Sequence, residues 1–141
     1  AANQIAIRQE NTSNQGGYWG ANTLPFYESF WPKDKEKLHP AIARQWLGVV
    51  LNAGDKTPEA FDKLKTMIQA CSKNERYHLH LVKQSKMCEK HPVVALAVLQ
   101  ILFTDVGTYN PSDLQSCLNE IQRNKPELES QIVAYKKEIG L

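Results

Sequence analysis

Missing from these 141 residues are the short signatures that most often announce catalysis. There is no glycine-rich phosphate loop, no H-E-x-x-H and no G-x-S-x-G, and the carboxylates scatter as solvated helix faces do. Cysteine is sparse. Cys71, Cys88 and Cys117 are too few and too far apart for a disulfide framework, so reduced core thiols are expected. One disulfide with one thiol left over is the open alternative. A long apolar run is absent as well. The longest, VVALAVLQILF from Val93 to Phe103, has ten apolar residues in eleven, and a bilayer span needs about 20. It reads as a buried core helix, and the chain as soluble. Strong charge of either sign is also missing. The net +2 divides as −1 over residues 1–31, +5 over 33–91 and −2 over 92–141, with all four histidines in the basic middle. That excess is too small to argue for nucleic acid, and an acidic protein surface or an anionic lipid surface suits it as well. No basic-plus-apolar signal segment opens the chain, which begins AANQIA without a methionine. The expectation is a soluble piece, secreted or cut from a longer protein, its compartment unknown.

What is present is punctuation by proline. Five of the seven prolines follow a plausible helix-start residue: His39-Pro40, Thr57-Pro58, His91-Pro92, Asn110-Pro111 and Lys125-Pro126. Proline suits the first helical turn because its missing N–H has no partner there and its φ is preset. Thr57 and Asn110 are expected to cap their helices through side-chain oxygens. Apolar stripes at helical spacing then predict helices over 40–53, 58–72, 92–106, 111–123 and 126–139, with stops at Gly54, Gly107 and Gly140. Trp46, Leu96, Leu99 and Phe103 are expected in the core.

The pattern repeats. HPAIA at His39–Ala43 returns as HPVVA at His91–Ala95, and Gly54-x-x-Thr57-Pro58 returns as Gly107-x-x-Asn110-Pro111. Two tandem helical hairpins would produce this, although glycine and proline favour such positions anyway. The predicted fold class is all-α: a compact bundle of five or six helices forming a single domain over 32–141, with an extended N-terminal arm over 1–31.

Between the halves lies NERYHLHLVKQSKMCEKH, Asn74 to His91. As a strand it would be long and without a partner, so a helix over 74–90 capped by Asn74 is the better reading. Tyr77, Leu81 and Cys88 then share an inner face, while Arg76, His80, Lys83 and Lys90 share an outer, basic one. The same segment holds the one metal-like cluster, His78, His80, Cys88 and His91. On a helix His78 and His80 point about 160° apart, which argues against a shared ion. Cys88 lacks an oxyanion-hole glycine or an orienting acid, which argues against a thiol enzyme.

The arm carries TLPFYESFW, Thr23 to Trp31. Leu24-Pro25-Phe26-Tyr27 fits L-P-x-Y, which resembles the proline–tyrosine peptides read by WW domains. It is one residue from the N-P-x-Y turn read by phosphotyrosine-binding adaptors. The opposing reading is a strap over the protein's own core, since Phe26, Tyr27, Phe30 and Trp31 are more apolar area than a free tail exposes. On the strap reading Phe30 and Trp31 are buried beside a helix starting at Pro32, Tyr27 is more exposed than either, and residues 1–17 are mobile.

The expected function is a non-enzymatic protein-interaction domain of effector or scaffold type, needing no cofactor. It would present the Pro-Tyr peptide (Leu24, Pro25, Phe26, Tyr27) and a basic helix face (Arg76, His80, Lys83, Lys90) to an adaptor or other protein partner. The alternative is a small enzyme or metal site centred on His78, His80, Cys88 and His91.

Overall fold

The computed structural model describes residues 2–31, 38–105 and 109–141. The all-α class holds, and among the described residues there is no strand. The helix start expected at Pro32 and the stop expected at Gly107 lie outside the described residues. The chain divides into two compact units, 1–71 and 72–141.

In the first unit the expected extended arm is helical instead. It comprises α1 (Ala2–Glu10), α2 (Gln15–Tyr18), a π-helical segment (Trp19–Thr23) and α3 (Leu24–Phe30). Pro25 sits in the first turn of α3, the position that made the other prolines helix starts. Trp19, Thr23 and Tyr27 recur at intervals of four and are all buried, so one face of this segment is committed to the core. These helices pack with α4 (Pro40–Leu51) and α5 (Thr57–Ile68).

The join is polar as well as apolar. Gln9 is wholly buried on α1, and its Nε2 donates to the carbonyls of Val49 at 2.7 Å and Asn52 at 2.9 Å. Those carbonyls end α4, where intrahelical donors run out. Thr23 Oγ1 donates to Gln9 Oε1 at 2.7 Å, and Trp19 Nε1 donates to Glu59 Oε2 at 2.9 Å. Gly16 lies so close to the turn before α5 that an added Cβ would collide with the Asp55 carboxylate. Gly54, in the same turn, has φ of +60° and abuts Gly16, a conformation glycine tolerates best.

Tyr27 and Trp31 meet Trp46 edge-on at 5.5 and 5.3 Å, and Phe26 stacks on it at 6.5 Å. The burial order within TLPFYESFW is therefore the reverse of the expectation. Tyr27 is 4% exposed and donates to the Lys63 carbonyl, whereas Phe30 is 74% exposed. Tyr27 continues the inner face of Trp19 and Thr23 in the middle of α3, over Trp46, whereas Phe30 is the last residue of that helix.

The second unit contains α6 (Arg76–Ser85), α7 (Met87–Lys90), α8 (Pro92–Leu102), α9 (Pro111–Asn124) and α10 (Glu129–Ile139). The segment expected as one helix over 74–90 breaks at Lys86, which is left-handed with φ of 59°. Asn74 does not cap α6. Its own φ is 61°, and its Oδ1 accepts from the N–H groups of Thr104 at 2.8 Å and Asp105 at 3.0 Å, closing the end of α8. Asn110 does cap α9, accepting from Ser112 N at 2.9 Å. Thr57 is instead the first residue of α5 and donates to the Val50 carbonyl, and His39 caps α4 through Nδ1. Trp46, Leu96, Leu99 and Phe103 are buried as expected. Tyr135 on α10 donates to the carbonyls of Phe103 at 2.6 Å and Leu99 at 3.0 Å, tying α10 to the end of α8.

Candidate functional site

The inner face of α6 consists of His78, Leu79 and Val82, all buried, with Tyr77 half exposed. That is one residue out of phase with the expected Tyr77–Leu81 face. The expected stripe runs through Tyr77 and Leu81 to Cys88, but the left-handed Lys86 resets the helical phase before Cys88 is reached. The outer face is the expected one over its first two turns. Arg76, His80 and Lys83 fall at i, i+4 and i+7 and line an open groove of about 1270 Å³.

Lys73, Glu75 and Tyr77 contribute to the same groove, and Asp113 closes it from α9. Lys83 Nζ meets Asp113 Oδ1 at 3.0 Å, and this hydrogen bond raises the Lys83 ammonium above its ordinary value. Both side chains are more than 40% exposed, so the pair contributes about 0–1 kcal/mol to stability. Its consequence is positional: it holds Lys83 at one end of the groove. Arg76, at the start of α6, has no ion pair among the described residues.

Lys90 does not join Arg76, His80 and Lys83 in this groove. It lies on α7, beyond the left-handed turn. Tyr77 and Asp113 were not anticipated there. The sequence pattern points Tyr77 inward, and Asp113 is 30 residues from Lys83, with no spacing signal to connect them.

The remaining sequence candidates are distributed differently. Leu24, Pro25, Phe26 and Tyr27 are in helix α3 of the first unit, with Pro25 exposed and Tyr27 buried against Trp46. A WW groove takes a polyproline-II strand, and α3 in this conformation does not present one. His78 is buried, His80 faces the groove, Cys88 is buried, and His91 precedes α8. The histidines two apart on α6 diverge, as the helical period requires. Among the described residues no three His, Cys, Asp or Glu side chains are placed to hold one metal ion.

Among the described residues no helix is long and apolar enough to cross a membrane. No family model, no curated protein and no solved structure matches this chain.

Proposed function

We propose that this chain is a non-enzymatic interaction domain that holds an acidic segment of a protein partner in the groove along α6. The observation that carries this reading is the gathering of Lys73, Arg76, His80 and Lys83 around one open cleft of about 1270 Å³, with the half-exposed Tyr77 among them. Arginine and tyrosine are the side chains that most often anchor a partner, one by forked hydrogen bonds and the other by area at low entropic cost.

The carboxylates of Glu75 and Asp113 in the same lining favour a peptide over a polyphosphate. They repel a uniformly charged backbone, yet they can pair with a basic or amide group on a mixed sequence. A concave cleft also fits a chain segment better than a flat bilayer surface. The Pro-Tyr stretch enters this proposal only as packing within the first unit.

Fluorescence anisotropy with a labelled peptide rich in Asp and Glu and carrying one aromatic residue tests the reading. Binding should weaken at least about tenfold in Lys73→Glu/Arg76→Glu and should fall steeply with added salt. Equal affinity of the doubly reversed variant, with its circular dichroism intact, would sink the groove assignment. Metal analysis of protein purified without a histidine tag separates this reading from the metal-site alternative. Stoichiometric zinc would favour that alternative.

A further inference from the structure

A second, smaller cavity of about 230 Å³ lies where α7 packs against α9, and Lys83 is the one residue it shares with the groove. Two of its lining residues are cysteines. Cys88 comes from α7 and Cys117 from α9, and the packing of these two helices sets both thiols in the wall of one cavity. No disulfide joins them. Lys83, Lys86, Glu89 and Glu120 complete the charged part of the lining.

Two buried thiols on different helices, lining one cavity large enough for a small molecule, are a chemical constellation rather than two core residues. We propose that Cys88 and Cys117 are an oxidisable dithiol, which a hydroperoxide entering this cavity converts to a disulfide.

The surrounding charges assign the roles. Cys117 is lowered first by its interaction with Cys88 and then by the Lys83 ammonium, whereas Cys88 is raised by the same interaction and by burial. Glu120 and Asp113 oppose the lowering at Cys117 without reversing it. Cys117 is therefore the thiolate that attacks, and Cys88 the thiol that resolves. In the first step the Cys117 sulfur attacks a peroxide oxygen. The O–O bond breaks, the departing oxygen takes a proton and leaves as water or alcohol, and Cys117 becomes a sulfenic acid. In the second step Cys88, giving up its proton, attacks the Cys117 sulfur. The S–S bond forms, the S–O bond breaks, and the oxygen leaves as water. Two thiols lose two electrons, and the peroxide gains them.

The fold gives this bond a structural consequence. Cys88 sits on the four-residue α7, directly after the left-handed Lys86, so the small approach that a disulfide requires falls on a short element behind a turn. The link would join α7 to α9 around α8, which packs against both.

The test uses the whole chain. Folded protein is treated with hydrogen peroxide, quenched with N-ethylmaleimide and mapped by mass spectrometry. The expected product is a Cys88–Cys117 cross-linked peptide with Cys71 alkylated, and addition of dithiothreitol reverses it. In Cys88→Ser the sulfenic acid at Cys117 should accumulate and be trapped by dimedone. In parallel, phenylarsine oxide should bridge the two thiols in the untreated protein with loss of one water. Failure of the arsenical to bridge would overturn the spacing. A bridge without any peroxide product, under conditions that oxidise a free-thiol peptide, would overturn the redox assignment. A disulfide to Cys71 would overturn both.

Discussion

Gln9 is the residue on which the packing of α1 turns. An amide carries both donors and an acceptor, and here Nε2 serves the carbonyls of Val49 and Asn52 while Oε1 receives Thr23. Leucine has nearly the same volume and none of these groups. Gln9→Leu should therefore lower stability by about 1–3 kcal/mol, the cost of leaving buried partners unmet. Urea titrations of the two proteins check it, and equal midpoints would show that the network contributes nothing. Nothing in IAIRQENT distinguished Gln9 from the polar residues around it. Its role depends on a helix end 40 residues away, which no local pattern encodes.

Buried phenols add a pH dependence. Burial raises Tyr135 above the ordinary tyrosine value of 10.0, and Tyr109 and Glu138 add to the effect. Tyr27 and Tyr109 shift the same way, again chiefly through burial. The unfolded chain releases these protons near its ordinary value, and the folded chain does so only at higher pH. The stabilisation is therefore complete below the unfolded value of 10.0 and is lost as pH rises through the folded values. Urea midpoints measured through this range should fall, and fall less steeply in Tyr135→Phe, which has no proton to release. Parallel declines in the two proteins would contradict the burial argument.

Among the elements, α3 shows how one signal can be read two ways. Within L-P-x-Y, Pro25 suggests an extended peptide, yet it occupies the same first-turn position as Pro40, Pro58, Pro92 and Pro111. Intervals of four linking Trp19, Thr23 and Tyr27 were in the sequence to be counted. What obscured them was the pair Gly16-Gly17 and the π-helical turn, both of which look unhelical without their neighbours. The expected consequence separates the two residues. Tyr27→Ala should lose about 3–5 kcal/mol, because its ring fills space against Trp46. Pro25→Ala, at an exposed first-turn position, should stay within about 1 kcal/mol of the parent. Thermal melts that rank them the other way would restore the exposed-peptide reading.

The break between α6 and α7 was less legible. The run SKMCEK contains neither glycine nor proline, so periodicity continued across it unopposed and carried Lys90 onto the wrong face. Lys86 holds a left-handed conformation at φ of 59°, which costs an L-residue about 1–2 kcal/mol and glycine far less. Lys86→Gly should thus raise the midpoint of urea unfolding or leave it unchanged, despite the usual penalty for glycine near helices. A clear loss of stability would mean that the turn is not left-handed in solution.

At the scale of the molecule, the two units share an order of parts. In each, short helices precede a His-Pro helix, which is followed by a second Pro-initiated helix: α4 with α5 in the first unit, and α8 with α9 in the second. Proline positions carried this order in the sequence because φ and the missing N–H act locally. Side-chain caps did not transfer. His39 caps α4 through Nδ1, whereas His91 makes no such bond at α8. Asn110 caps α9, whereas Thr57 bonds back to Val50. Duplication of a hairpin would preserve the proline frame and the packing of the two helices while letting caps drift, since a lost cap costs only about 1 kcal/mol. Independent convergence on proline-started helices would preserve the frame but not the handedness of the crossing. The expected outcome is that the α4–α5 pair superposes on the α8–α9 pair with the same sign of interhelical angle in a crystal structure of the chain. Crossings of opposite hand would leave the matching prolines as a property of helix starts alone.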